Sequence, residues 1–253
     1  MKTIAIIPCF NEEHTIVDVI KETKKYVDKI IVVDSSTDSS PYLVKKFFTE
    51  VLLIREKKGK GRQIIRGIEE AKKYKPDYIA FIDSDGERDP SDIQMLIKTL
   101  ENRNVDMVIG SRNRMRSWKR KFLNVFTAFW IWILTDLKFR DVESGFLVIK
   151  WDALEKIELE SNRFEIEIET ILEAHRNKLE IIQKNISVPK ITKSGFHIKY
   201  MFEMAAFFDM WCLKWIRNKD CKLSLSRKLF LGIFSFIGWI LTGWSISKSN
   251  YKF

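Results

Sequence analysis

The stretch Phe81-Ile82-Asp83-Ser84-Asp85-Gly86-Glu87-Arg88-Asp89-Pro90 decides the fold, because an apolar run ends there abruptly in carboxylates. Tyr78 to Ile82 reads as a buried strand, and Asp89-Pro90-Ser91-Asp92 opens a helix with a capping residue ahead of proline at the first helical position. Asp83 and Asp85 therefore sit in the turn between strand and helix. Residues two apart on an extended segment point the same way, so both carboxylates can face one hard cation, with Glu87 two further on as a third oxygen ligand. The same acids can also serve only to cap the next helix. Their place after a buried strand, where α/β sheets gather ligands, favours ligand binding.

Working outward, Thr3 to Ile7 forms a strand closed by Pro8, and Glu12 to Tyr26 has helical spacing. Lys29 to Val33 and Val51 to Ile54 are further strands, separated by a loop from Asp34 to Asp38 and a helix from Pro41 to Phe48. Gly59-Lys60-Gly61-Arg62 opens a helix running to Tyr74, and Val105 to Ile109 is a fifth strand. This alternation implies an α/β fold, a Rossmann-like, mainly parallel sheet with helices on both faces. Pro8 to Glu12, Asp34 to Asp38, Gly59 to Arg62 and Asp83 to Glu87 all fall at strand ends, so the architecture makes them neighbours. Further along, Ser144 to Ile149 reads as a strand, Arg163 to Arg176 as a helix, and Glu180 to Val188 as one or two strands.

The chain has 253 residues, 45% hydrophobic and 31% charged, with a formal net charge of +10. Phosphorylated substrates, anionic lipid and nucleic acid all suit that charge, but no nucleic-acid-binding module accompanies it. Arg112, Arg114, Arg116, Lys119, Arg120 and Lys121 form a basic run with no acid, followed at once by the aromatic-rich 122–137. Basic beside apolar is a membrane-surface pattern. Residues 122–137 and 202–215 are read as amphipathic helices that either pack on the domain or lie in the lipid interface. Leu229 to Ile246 carries no charge over eighteen residues, about 27 Å of helix and near a bilayer core in length. That marks 229–246 as a minimal transmembrane helix, with a buried C-terminal hairpin helix as the other reading, after a catalytic domain over 1–200 and a juxtamembrane stretch over 201–228, and before a short tail at 247–253. Arg217, Lys219, Lys222, Arg227 and Lys228 precede it, which places the large domain on the cytoplasmic side. The apolar run in Met1 to Pro8 is too short for an export signal. Three scattered cysteines, Cys9, Cys212 and Cys221, indicate neither disulfides nor a zinc site.

Several segments together resemble the family 2 glycosyltransferases of GT-A fold, and among them the dolichyl-phosphate mannose and glucose synthases. Ile7-Pro8-Cys9-Phe10-Asn11-Glu12-Glu13 is similar to the family's I-P-x-Y-N-E-E, Val32-Val33-Asp34 with Asp38 to V-D-D-G-S-x-D, and Lys58-Gly59-Lys60-Gly61 to N-x-G-x-G. Phe81 to Pro90 resembles D-A-D-x-Q-x-x-P, Ile109 to Arg112 contains G-S-R, Asp141 to Phe146 matches D-x-x-S-G-F, and Phe164-Glu165-Ile166-Glu167 is similar to F-Q-V-E. Val188-Pro189 with Gly195 completes the series. The chain departs from the pattern at Ser35, where the second Asp of V-D-D would stand, at Glu87 in place of Gln, and at Leu147 in place of Arg.

The resemblance implies a nucleotide-diphosphate sugar site, for GDP-mannose or UDP-glucose, formed by Pro8, Phe10, Glu12, Val33, Asp34, Lys60 and Ser84. It implies Mg²⁺ or Mn²⁺ on Asp83, Asp85 and Glu87, with Asp83, Asp85 and Arg112 carrying catalysis. Arg120, Asn124 and Lys193 would grip the phosphate of a polyprenyl or dolichyl phosphate, and transfer would invert the sugar at the cytoplasmic membrane face. A lipid phosphate is already anionic near neutral pH, its second pKa lying near ~6, and needs no general base. If the acceptor is instead a glycolipid or diacylglycerol hydroxyl, Asp141 and Glu143 are the base candidates. A third reading is an inactive membrane-anchored scaffold that binds nucleotide sugar.

Overall fold

A computed structural model describes residues 1–112, 118–187 and 207–208, with 118–120 defined in backbone only. The strands are β1 (Thr3–Cys9), β2 (Lys29–Asp34), β3 (Leu52–Arg55), β4 (Tyr78–Phe81), β5 (Met107–Arg112), β6 (Leu147–Lys150) and β7 (Ile181–Ile186). The helices are α1 (Ile16–Thr23), α2 (Ser40–Phe47), α3 (Lys60–Ala71), α4 (Asp92–Arg103), α5 (Trp118–Thr135), α6 (Trp151–Leu154) and α7 (Ile166–Arg176). The seven strands form one sheet in the order β3-β2-β1-β4-β6-β5-β7. Six run parallel; β6 is antiparallel to both β4 and β5.

The central strands are apolar at nearly every position because both faces are covered. Side chains alternate across the sheet. Ala5, Ile7, Ile30, Val32, Ala80, Val108 and Val148 share one core with Ile16, Val19 and Ile20 of α1 and Ile93, Leu96 and Leu100 of α4. Intervening residues such as Ile4, Ile6, Ile31, Val33 and Ile79 are equally buried, and α3 packs on β1 from this second side.

Element edges shift from the sequence reading, β5 for example running on to Arg112, and two of the shifts have a clear local cause. β1 does not stop at Pro8 but pairs with β2 as far as Cys9 opposite Asp34. Proline is tolerated there because its missing N–H faces β4, whose ladder with β1 has already ended at Ile6 opposite Phe81. α1 starts at Ile16 rather than near Glu12, since Asn11 adopts a positive φ of 57° and the Glu12 carbonyl accepts from the amides of Thr15 and Ile16.

The chain divides into two compact units, Met1–Trp118 with Phe139–Lys193, and Lys119–Lys138 with Ser194–Phe253. The first holds the sheet. In the second, α5 carries Leu123, Trp130, Ile131 and Leu134 as buried residues, and Trp130 stacks on Phe208 with ring centroids 5.9 Å apart. Phe122, Val125, Phe129 and Trp132 of α5 stay exposed, and their spacing places them in one stripe. No helix among the described residues is long and apolar enough to cross a membrane. Residues 209–253, including 229–246, and Lys193 lie outside the described residues.

Candidate active site

The loops after β1, β2 and β4 and the start of α3 meet at the carboxyl edge of the sheet. Ser84 Oγ donates to the Pro8 carbonyl at 2.8 Å, and Thr15 Oγ1 donates to the Ser84 carbonyl at 2.7 Å. Gln63 on α3 ties the first two loops together, donating through Nε2 to the carbonyls of Cys9 (2.7 Å) and Val33 (2.8 Å). Ser36 Oγ accepts from the Asn11 amide at 2.7 Å, and Ser40 Oγ from the Glu12 amide at 3.0 Å. Phe10 and Glu12 are partly open at this edge, with Lys58 Nζ 3.9 Å from the Phe10 ring centroid.

Two expected nucleotide contacts are already spent inside the protein. Val33 is fully buried on the α3 side of the sheet, so its side chain cannot line a pocket. Asp34 is also fully buried: Oδ1 accepts from Ser36 Oγ, and Oδ2 accepts from the Ser36 amide and from the Arg55 guanidinium. Asp34 shapes the loop after β2.

At the end of β4, Lys60 Nζ lies 2.5 Å from Asp83 Oδ1 and 2.5 Å from Glu167 Oε1. Gly59, with φ 145°, lies against the Asn162 carbonyl, where any Cβ on it would collide, and leads the chain into Lys60. Gly145 closes the other side, since a Cβ there would strike Asp83 Oδ2 and Lys60 Nζ. Burial works against charge on Lys60, but attraction to Asp83 and Glu167 outweighs it and holds the ammonium protonated well above its usual range. Burial likewise opposes charge on Asp83, yet Lys60 and Arg88 keep its carboxyl below the usual value. Asp85 moves the opposite way: burial and then repulsion from Asp83 push it up to about 6. For Glu167 burial prevails over Lys60 and raises the carboxyl.

The expected third carboxylate does not join this pair. Glu87 turns beside Arg88, 3.6 Å away, and among the described residues no group of three His, Cys, Asp or Glu side chains is disposed to hold a metal ion. Asp83 and Asp85 still suit a hard divalent cation as an incomplete set: their oxygens are the right donors, and their mutual repulsion is what such a cation relieves.

At the end of β5, Arg112 is held by Asp141, whose Oδ2 accepts from the Arg112 amide (3.0 Å) and Nε (2.6 Å) and whose Oδ1 accepts from an Arg112 terminal nitrogen (2.8 Å). Burial disfavours the guanidinium charge, but these bonds and the Asp141 charge more than compensate and raise its pKa. Arg120 and Asn124 fall on α5 in the second unit, Asn124 buried. Glu167 and Gln63 escaped the reading of the chain as site residues, although Glu167 stands in the quoted Phe164-Glu165-Ile166-Glu167 match.

With this geometry in view, residues 4–140 match the family described as "Glycosyl transferase family 2". The chain belongs to that family. It is 35% identical over 206 residues to an uncharacterized protein of Methanocaldococcus jannaschii, covering 73% of this chain and 87% of that one. It is 28% identical over 203 residues to a UDP-N-acetylglucosamine–dolichyl-phosphate N-acetylglucosaminyltransferase of Methanococcus voltae, covering 70% and 81%. Among solved structures, glucosyl-3-phosphoglycerate synthase of Mycobacterium tuberculosis with Mn²⁺, UDP and phosphoglyceric acid has a TM-score of 0.66 at 20% identity over 88% of this chain and 79% of that one. That likeness bears on the fold, the GT-A arrangement expected of family 2. This glycosyltransferase therefore presents its acids, Lys60 and Arg112 where such folds collect ligands.

Proposed function

We propose that this glycosyltransferase moves a sugar from a nucleotide-diphosphate donor to the phosphate of a polyprenyl lipid at the cytoplasmic membrane surface. The observation that carries the acceptor assignment is the Arg112–Asp141 pair. Both Asp141 oxygens are engaged by Arg112, so this carboxylate serves as an anchor for a cation and not as a base. A neutral hydroxyl acceptor needs a base, whereas a phosphate monoester arrives anionic and needs a cation to receive it. The M. voltae relative is named for a dolichyl phosphate acceptor, in keeping with this reading.

Asp83 and Asp85 would hold a divalent cation, Mg²⁺ or Mn²⁺, and the chemistry it supplies when bound is neutralisation of the diphosphate leaving group. Lys60 lies beside Asp83 with its ammonium available to the same diphosphate. Phe10 and Glu12 border the nucleotide end of the site. Arg112 orients the acceptor phosphate for a single displacement that inverts the anomeric carbon. The exposed stripe Phe122, Val125, Phe129 and Trp132, next to the basic run 112–121, supports a lipid-facing α5, and 229–246 would anchor the chain.

Membranes containing polyprenyl phosphate and diacylglycerol together, given labelled nucleotide sugars, test the assignment. Label is expected in the phosphate lipid and should survive Glu143→Gln. Label in diacylglycerol, lost with Glu143→Gln, would establish the hydroxyl acceptor in its place.

A further inference from the structure

Lys60 is shared by two carboxylates that reach it from distant parts of the chain, Asp83 at the end of β4 and Glu167 in the first turn of α7. The side chains of Lys60 and Glu167 are 11% and 10% exposed. A carboxylate buried this far is costly, and an apolar residue like its neighbours Ile166 and Ile168 would pack there at less expense. Asp83 alone would suffice to pair Lys60. An ammonium 2.5 Å from Asp83 also competes with any cation that uses the same carboxylate.

We propose that Glu167 is a positioning residue that holds the Lys60 ammonium in reserve, so that Lys60 can release Asp83 to an incoming divalent cation and turn to the donor diphosphate while still paired. When all are ionised, Lys60 stands against three carboxylates, Asp83, Asp85 and Glu167, which leaves two negative charges. The nearby Arg112–Asp141 and Arg88–Glu87 pairs are each neutral, and the Glu12 carboxylate adds further negative charge within reach of Asp85 and Asp83. A divalent cation balances that deficit. Without the Glu167 charge, the deficit halves and Lys60 belongs to Asp83 alone, so cation entry is opposed twice. The diphosphate half of the inference rests on the donor reading given above; the cation half does not.

The full-length protein in detergent, titrated with Mn²⁺ alone and read by electron paramagnetic resonance of free Mn²⁺, tests this without any turnover. Glu167→Gln should weaken Mn²⁺ binding about tenfold or more, a coupling of the usual size between linked sites. Lys60→Met, which removes the competitor, should bind Mn²⁺ at least as well as wild type but lose about tenfold in affinity for UDP or GDP added with Mn²⁺. The double variant should regain wild-type Mn²⁺ affinity, a reversal that a merely structural role for Glu167 does not produce. Unchanged Mn²⁺ binding in Glu167→Gln, or a double variant as weak as that single one, would overturn the inference. If Glu167→Gln does not fold, Glu167→Asp and Lys60→Met decide: the first should keep Mn²⁺ affinity, and weakening by the second overturns the idea. Wild-type Mn²⁺ binding without this pattern removes the inference alone. The pattern without sugar transfer to lipid removes the acceptor reading alone.

Discussion

Asp141 receives Arg112 through three nitrogens, the backbone amide at 3.0 Å, Nε at 2.6 Å and a terminal nitrogen at 2.8 Å. Such a forked pair fixes both the position of the guanidinium and the path of the chain as it leaves β5.

Removing the Asp141 charge strands a mostly buried cation, which typically costs about 3–5 kcal/mol for a buried pair. Asp141→Asn should therefore lower the melting temperature and reduce kcat/KM for the acceptor, while the pH dependence of kcat/KM keeps its shape. Loss of the ascending limb of that profile would mark Asp141 as a base.

Asp85 ties stability to pH in a specific direction. Its carboxyl is raised from an ordinary 3.8 to about 6 by burial and by Asp83, so the folded state holds a proton that the unfolded state has released. Stability then falls as pH rises from about 4 to about 6 and stays reduced above, by up to about 3 kcal/mol. With chelator present, Asp85→Asn should melt roughly 5 °C above wild type at pH 7.5, and the gap should close near pH 4. Mn²⁺ should raise the wild-type melting temperature at pH 7.5 and leave the variant nearly unmoved. A variant that melts below wild type at pH 7.5 would contradict the electrostatic account.

Gly145 owes its identity to space. A methyl group there meets Asp83 Oδ2 and Lys60 Nζ, so Gly145→Ala should displace both. Misplacement on the ångström scale costs a reaction about 100-fold, and a loss of that order in kcat with a nearly unchanged melting temperature is expected. Wild-type turnover would mean that neither group needs its observed place.

The exposed stripe on α5 predicts lipid binding. Phe129→Ser with Trp132→Ser removes two large apolar side chains worth about 1.5–3 kcal/mol each when fully buried. Sedimentation with anionic vesicles should fall at least about tenfold, with the melting temperature preserved. Equal sedimentation would assign the stripe to something other than lipid.

Much of the sheet was legible because its strands are short apolar runs, each followed by residues that cannot continue them. Asp83 and Lys60 could be brought to one edge from that alternation, whereas Arg112 was offered only by the resemblance to family 2. Strand direction was not legible: β6 enters between β4 and β5 and runs against both, a pairing set by residues distant in sequence. Glu167 was missed as a site residue because an acid in the first turn of a helix ordinarily serves the helix dipole, and its partner Lys60 lies 107 residues away. Asp34 and Val33 were misplaced for a related reason. A loop after a strand reads as ligand-facing, whereas Arg55, Ser36 and Gln63 had already taken their polar groups.

The central claim is that the acceptor is a lipid phosphate, and its most direct test replaces that phosphate. Membranes carrying the wild-type protein, Mn²⁺ and a panel of radiolabelled nucleotide sugars are supplied with either polyprenyl phosphate or the corresponding polyprenol. Organic-extractable label is predicted with the phosphate alone, abolished by chelator and by Asp85→Ala. Equal label on the alcohol, or none on the phosphate while nucleotide sugar is still bound, would contradict the account.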